Sequence, residues 1–197
     1  MSDSTSSISL ALLSHTNVGK TTLARTLLRR DIGAVMDRAH VTETAEAHVL
    51  MQSPAGDELV RAARESADVV LYVVNATEEP ATAGYIEPEL HILDWLGKPA
   101  LVLLNQVGTR LDAAHERQLI AEWSAVLQRH DATGKRRVMT FDAFARCWLQ
   151  EHALLDAIAA CLQEQQRPAF ERIVEAWRGR DLDVLRQSAA VIARQLH

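Results

Sequence analysis

Cysteine, lysine and long apolar runs are scarce in this sequence, and each shortage narrows the classes of protein to consider. The two cysteines, Cys147 and Cys161, lie in one predicted helix without metal-ligand partners, so we expect neither a disulfide framework nor a cysteine-based metal site. Such use of cysteine is typical of a reducing compartment. No run approaches the ~20 apolar residues of a membrane span, and the polar start MSDSTSS lacks a signal-peptide core. We therefore expect a cytoplasmic protein.

The overall charge and the composition exclude few further classes of protein. The formal net charge is −5 at pH 7, which gives no indication of a sequence-independent nucleic-acid binder. Most cations are arginines, so Lys20 is conspicuous among few lysines. The composition, 48% apolar and 24% charged, is ordinary for a globular protein. A chain of 197 residues suffices for one well-buried α/β domain with a small helical appendage.

Apolar runs alternate with helical periodicities along most of the chain, which predicts an α/β fold. Strands are predicted at residues 8–13, 68–75, 100–104 and 137–141, and helices at residues 20–30, 85–96, 111–130 and 143–163. A β-hairpin is predicted from an arm at 45–52, a turn at 53–57 and an arm from Glu58 onward. Two final helices, at 168–177 and 182–196, are predicted to form an α-hairpin separated by Gly179. The sheet is expected to be mainly parallel, with helices on both faces.

These elements suggest three divisions of the chain. Residues 1–6 form a disordered lead, residues 7–165 an α/β domain, and residues 166–197 a helical extension. A mobile loop is expected over residues 31–43, because this stretch has no clear periodicity.

The chain is organised around a loop between the first strand and the first helix. Its residues are Ser14, His15, Thr16, Asn17, Val18, Gly19, Lys20, Thr21 and Thr22. In this context backbone N–H groups curl around an anion, and the positive end of the helix, about half an elementary charge, points at it. We predict that Lys20 reaches the β- and γ-phosphates of a nucleotide and that the Thr21 hydroxyl binds Mg²⁺. Ser14 stands where the usual pattern begins with glycine. The alternative is an ordinary strand-to-helix turn.

Two sets of motifs resemble known families. SHTNVGKTT, followed by AVMDRAHVTET and the predicted hairpin, resembles the Era/TrmE branch of small bacterial GTPases over residues 8–141. HTNVGKTTL and FDAFARCWLQE also resemble a group of bacterial proteins classed as GTPases, of unknown role, in which a helical, membrane-associated region follows the G domain. The resemblance implies a phosphate-loop NTPase three-layer sandwich, with a location in the cytoplasm or peripheral to the inner membrane.

The resemblance also implies roles for individual residues. Thr42 would be the switch I threonine that closes on Mg²⁺ and the γ-phosphate; Thr44 is a rival, and an unliganded loop residue is the alternative. Asn17 corresponds to the asparagine that helps to bind K⁺ in potassium-activated members, where added positive charge stabilises the transition state. Alternatively, Asn17 only braces the loop. Lys20 and Thr42 are thus the expected catalytic residues, and Thr21 and Thr42 the expected Mg²⁺ ligands.

The sequence departs from the family pattern in two places. Asp-x-x-Gly and switch II should follow the hairpin, but Val60 runs directly into Arg61. We expect a segment to be missing at this junction, either deleted from the gene or, as we favour, left out of the sequence. The guanine-reading Asn-Lys-x-Asp is replaced by Asn105, Gln106, Val107 and Gly108; Asn105 and Gln106 are still predicted to contact the nucleotide. Asp142 is predicted to cap the following helix rather than to bind a base.

The function predicted from these observations is a Mg²⁺-dependent molecular switch that binds GTP and hydrolyses it to GDP and phosphate. An unidentified protein effector and a membrane contact through a C-terminal region outside this chain are the other expected partners. Two alternatives remain, namely a degenerate nucleotide-binding or interaction module without turnover and an ATP-using phosphate-loop enzyme. The altered base-reading motif permits both. His15, His40 and His48 do not have the spacing of a metal site.

Overall fold

The computed structural model describes residues 8–15, 18–28, 56–107, 112–131, 136–144 and 147–195. Four strands lie in these residues: β1 (Leu10–Leu13), β2 (Val69–Asn75), β3 (Ala100–Asn105) and β4 (Arg137–Thr140). The helices are α1 (Lys20–Leu28), α2 (Gly56–Ser66), α3 (Ile86–Leu96), α4 (Ala113–His130), α5 (Trp148–Cys161) and α6 (Arg167–Gln195), with a short 3₁₀ turn at Pro80–Thr82. No helix in the described part of the chain is long and apolar enough to cross a membrane.

The strands form one parallel sheet in the order β1-β2-β3-β4. Leu13 at the end of β1 is level with Tyr72 of β2, and Asn75 is level with Asn105 of β3. Because all four strands run in the same direction, their carboxyl ends meet at one edge of the sheet. Ligands of open α/β sheets bind beyond this edge, so the fold itself indicates where a site should be sought.

Alternate residues of each strand pack on opposite faces of the sheet, as the pleat requires. Val69, Leu71 and Val73 pack in a cluster with α1, α5 and α6, whereas Val70 and Val74 pack in a second cluster with α2, α3 and α4. These four valines and Leu71 are fully buried. The molecule therefore has three layers, helices on each side of a parallel sheet, which confirms the fold class predicted from the sequence.

A helix, α2, occupies the residues from Glu58 onward that were predicted to form the second arm of a β-hairpin. The prediction of this arm is wrong. Apolar positions at Val60, Ala63 and Ala67 recur with a helical period, and Ala63 and Ala67 are buried against the sheet. Burial of this apolar stripe against the sheet stabilises the helical conformation of α2. The helix passes without interruption through Val60 and Arg61, so the segment expected to be missing there would fall inside a helix; reading the gene across this junction tests that expectation. The first hairpin arm, the loop at 31–43 and the lead at 1–6 lie outside the described residues.

The prediction of a final α-hairpin is wrong, because a single helix of 29 residues, α6, replaces the two expected helices. Gly179 lies inside it, and a single glycine in a helix costs only about 1 kcal/mol relative to alanine. Contacts with α5 on both sides of this glycine offset that cost. Trp177 donates a 3.1 Å hydrogen bond to Glu151, and His152 lies 3.1 Å from the buried carboxylate of Asp181. The helix therefore continues where the sequence predicted a break.

Helix α5 also differs from its prediction, since it begins at Trp148 and not at residue 143. The Asp142 carboxylate accepts a 2.9 Å hydrogen bond from the Phe144 N–H, while the Ala143 N–H is bonded to Asn105. These bonds hold a turn after β4 instead of starting the helix, and Cys147 occupies the N-cap position. Asp142 thus caps a turn, and the prediction that it caps the helix is wrong.

Candidate functional site

The loop between β1 and α1 lies at the carboxyl edge of the sheet, where the fold indicates a site. Four residues of this loop are described: Ser14, His15, Val18 and Gly19. Val18 is buried in the core cluster on the α1 side of the sheet, and this packing fixes the end of the loop to the core. Gly19 has a φ of 91°, a backbone conformation that residues with a Cβ atom rarely adopt. Thr16, Asn17, Thr42 and Thr44 lie outside the described residues.

Lys20 is the first residue of α1, and its side chain folds back towards the start of the loop. Its ammonium group donates hydrogen bonds to the Ser14 carbonyl oxygen (3.1 Å), the Ser14 hydroxyl (2.6 Å) and the His15 carbonyl oxygen (2.8 Å). Burial lowers the pKa of Lys20 below its usual value, and the negative charge of Glu89 acts in the opposite sense. Three oxygen atoms thus hold the Lys20 side-chain nitrogen in the bend, between the end of β1 and the N-terminus of α1.

Asn105, the last residue of β3, joins two loops at this edge. Its side-chain nitrogen donates a 2.7 Å hydrogen bond to the Val18 carbonyl oxygen, and its side-chain oxygen accepts a 2.8 Å hydrogen bond from the Ala143 N–H. A Cβ on Gly19 would lie 2.4 Å from the Asn105 side-chain nitrogen, so only glycine fits beside this amide. Since both ends of the amide are used within the protein, Asn105 acts here by holding the loop in place.

Gln106 follows Asn105 and has a φ of 60°, an uncommon value for a residue other than glycine. Its side-chain nitrogen lies 3.8 Å from the position that a Cβ on Gly19 would take, which places this amide beside the loop between β1 and α1. Gly108, the last position of the altered base-reading motif, lies outside the described residues. The structure therefore places the side chains of Asn105 and Gln106 beside the loop between β1 and α1.

An acidic and aromatic cluster, formed by Tyr72, Glu78, Tyr85 and Glu89 around His15, borders the loop. The Tyr72 hydroxyl donates a 2.6 Å hydrogen bond to Glu89, and the Tyr85 hydroxyl donates one of 2.7 Å to Glu78. His15 stacks on Tyr85 with ring centroids 4.7 Å apart, and its Nδ1 atom lies 3.6 Å from Glu89. Burial raises the pKa of both tyrosines, and the adjacent carboxylates raise it further. Both phenols therefore stay protonated donors.

Sequence reasoning missed Tyr72, Tyr85 and Glu89 as neighbours of the loop. One signal was present in the sequence, since Tyr72 is the single residue with a hydroxyl group inside the apolar strand β2. A buried tyrosine hydroxyl usually needs a hydrogen-bond partner, and here that partner comes from α3. Which residue of α3 reaches it depends on how α3 packs, and the spacing along the chain does not specify this.

Thr21, the residue predicted from the sequence to bind Mg²⁺, is the second residue of α1. No group of three or more His, Cys, Asp or Glu residues in the described ranges could hold a metal ion by itself. Mg²⁺ commonly takes one or two protein ligands and completes its shell with phosphate oxygens and water, so a single hydroxyl is compatible with it. The next residue, Thr22, has a buried hydroxyl without a hydrogen-bond partner in the described part of the chain.

Together, the parallel sheet, the helices on both faces and the lysine-containing loop after β1 define a phosphate-loop NTPase fold. One similar solved structure supports this assignment of the fold. Translation elongation factor SelB from Methanococcus maripaludis, in its apo form, is 21% identical with a TM-score of 0.50 over 77% of this chain. A "probable GTP-binding protein", EngB, also aligns, at 17% identity and a TM-score of 0.43, over 70% of this chain and 89% of its own.

The chain spans about a third of the SelB chain, 32% of its length, so the likeness concerns one domain of that protein. No protein family matches the sequence, and no curated protein matches it. At this level of identity the likeness to SelB shows the fold alone.

Proposed function

We propose that this protein binds GTP with Mg²⁺ and hydrolyses it slowly to GDP and phosphate as a conformational switch. The observation that carries the proposal is the position of Lys20, whose ammonium group lies inside the bend and is anchored on the carbonyl oxygens of Ser14 and His15. A phosphate group would meet this cation together with the loop N–H groups and the positive end of α1. Each of these groups favours a polyphosphate over a neutral ligand.

The choice of guanine rests on the resemblance to the Era/TrmE branch alone. Gln106 and Gly108 replace the lysine and the aspartate that read guanine in that family, which favours a second candidate, a phosphate-loop protein that uses ATP or does not discriminate between bases. A hydrogen bond to a charged acceptor contributes about 1.5–3 kcal/mol, so loss of the aspartate is worth roughly 10–100-fold in guanine preference.

The proposed GTPase function also includes ions and further partners. Mg²⁺ would be held by the Thr21 hydroxyl, the phosphates and water, with Thr42 as the proposed switch I ligand, and it would neutralise phosphate charge during hydrolysis. K⁺ beside Asn17, a protein effector and a membrane contact are implied by the family resemblance alone. Equal hydrolysis in K⁺ and Na⁺ buffers would exclude the K⁺ role of Asn17.

The test is a titration of the protein with fluorescent GDP, GTP, ADP and ATP in the presence of Mg²⁺. We expect saturable binding with a preference for guanine and loss of binding in Lys20→Ala. Lys98→Ala is the matched control, because it removes another of the three lysines at a position between α3 and β3. A preference for adenine would replace GTP by ATP in this proposal. Absence of binding by the unaltered protein would overturn the nucleotide function itself.

A further inference from the structure

Three polar atoms at the start of the phosphate loop form a closed triangle of hydrogen bonds. The Lys20 ammonium group donates to the Ser14 hydroxyl oxygen at 2.6 Å and to the His15 carbonyl oxygen at 2.8 Å. The Ser14 hydroxyl in turn donates to the same His15 carbonyl oxygen at 2.8 Å. The hydroxyl is therefore held by two bonds, and it lies against the cation on which phosphate binding depends.

A lysine ammonium group has three N–H donors, and this arrangement uses all three. Two are bonded to backbone carbonyl oxygens, and neither of these contacts depends on the side chain of Ser14. The third is bonded to the Ser14 hydroxyl, which exists only because serine stands at a position where the usual loop has glycine. With glycine there, this donor would be available to a ligand.

We propose that the Ser14 hydroxyl occupies the position on Lys20 that a phosphate oxygen would take, and so lowers the affinity of the loop for polyphosphates. The ligand class is pyrophosphate or the polyphosphate tail of a nucleotide, so the inference rests on the proposed function. A phosphate oxygen must displace the hydroxyl before it can accept the third Lys20 hydrogen bond. The neighbouring Glu89 carboxylate acts in the same direction, because its negative charge already interacts favourably with the Lys20 ammonium group.

Affinity measurements on Ser14 variants test this competition. Calorimetric titration with pyrophosphate and with GDP in Mg²⁺ should show binding about 5–10-fold tighter in Ser14→Ala than in the unaltered protein, because a hydrogen bond to a charged group is lost from the free state only. Ser14→Gly should bind at least as tightly, and Ser14→Thr, which keeps a hydroxyl, should stay near the original affinity. Ser66→Ala is the control, since Ser66 bonds to Ala62 on α2, away from the loop.

A second measurement does not depend on any ligand. The chain has three lysines, Lys20, Lys98 and Lys135, so mass spectrometry can follow the acetylation of each amine separately. We expect Lys20 to react several-fold faster in Ser14→Ala than in the unaltered protein, while Lys98 and Lys135 keep their rates. An unchanged Lys20 rate would mean that the hydroxyl does not hold the amine, and the inference would fall.

The outcomes separate this inference from the proposed function. Binding that requires Lys20 but is equal in all Ser14 variants would support the phosphate loop and overturn the role of Ser14. Pyrophosphate binding that tightens in Ser14→Ala, without any nucleotide preference or turnover, would support the role of Ser14 and overturn the GTPase proposal. Failure of every variant to bind pyrophosphate or nucleotide would overturn both.

Discussion

The side-chain nitrogen of Asn105 donates a 2.7 Å hydrogen bond to the carbonyl oxygen of Val18, 87 residues earlier in the chain. This bond ties the carboxyl end of β3 to the loop that precedes α1. The other end of the same amide accepts a hydrogen bond from Ala143, in the turn after β4. One fully buried amide thus sets the relative positions of two loops that border the candidate site.

Substitution of Asn105 by alanine should destabilise the protein by about 2–3 kcal/mol, because the buried Val18 carbonyl and Ala143 N–H would both lose their partners. Urea unfolding measures the free-energy change. Asn75→Ala is the matched control, since Asn75 occupies the paired position on β2 and, among the described residues, its side chain accepts only from Thr77 in the next turn. A similar cost for the two variants would contradict the bridging role of Asn105.

Replacement of Gly19 by alanine should cost at least about 2 kcal/mol, because alanine is strained at a φ of 91° and its Cβ would lie 2.4 Å from the Asn105 amide. Nucleotide binding should weaken with it, since Asn105 must move. Gly179→Ala is the contrasting variant, because a Cβ there meets no atom within 4 Å. It should stabilise α6 by about 0.5–1 kcal/mol. A loss of stability in Gly179→Ala would show that α6 is not a continuous helix at this point.

The two halves of α6 should respond differently to truncation of their side chains. Phe170, which is 4% exposed and packs in the core cluster with α1 and α5, should cost about 3–5 kcal/mol when replaced by alanine. Leu185, which is 52% exposed, should change stability by less than about 0.5 kcal/mol. Thermal or urea unfolding distinguishes them. A large effect of Leu185→Ala would mean that this exposed face is covered in solution.

Asp112 at the start of α4 should contribute stability that depends on pH. Hydrogen bonds from the His115 backbone and side chain and from the Ala114 backbone hold the pKa of Asp112 below its usual value. When folding lowers the pKa of a carboxyl group, its contribution to stability is fully present at pH values above the usual pKa. This contribution is lost as the pH falls through the lowered pKa of the folded state. Asp112→Ala should therefore destabilise the protein at pH 7.

The same variant gives its own internal comparison as the pH is lowered. The difference in unfolding free energy between Asp112→Ala and the unaltered protein should shrink in acid, when Asp112 becomes protonated. Asp183→Ala, which removes an exposed carboxylate on α6 that pairs only with Arg186 among the described residues, should show little effect at either pH. A destabilisation by Asp112→Ala that is equal at neutral and acid pH would contradict capping by the charged form.

The positions of the strands and most helices could be predicted from the sequence, because a long apolar run or a clear helical period reports burial directly. The alternation of apolar runs with helical periods predicted a mainly parallel sheet, and the glycine and lysine after the first run predicted the loop that follows β1. Predictions failed where the local pattern was short or ambiguous. The alanine stripe of α2 is short, and it indicates a helix only when the sheet that covers it is known. Gly179 by itself predicts a break, but contacts with α5 on both sides of it stabilise a continuous helix.

By itself, the sequence determined the three-layer class of the fold and the loop on which the proposed function depends, since both follow from periodicity and from the order of residues along the chain. Only the tertiary structure decided that Asn105 braces the loop, that Glu89 and Tyr72 lie beside it, and that the Ser14 hydroxyl takes a donor of Lys20. These contacts join residues brought together by the packing of α3 and β3 against β1, or by the fold of a side chain back along its own loop. Spacing along the chain does not specify such geometry.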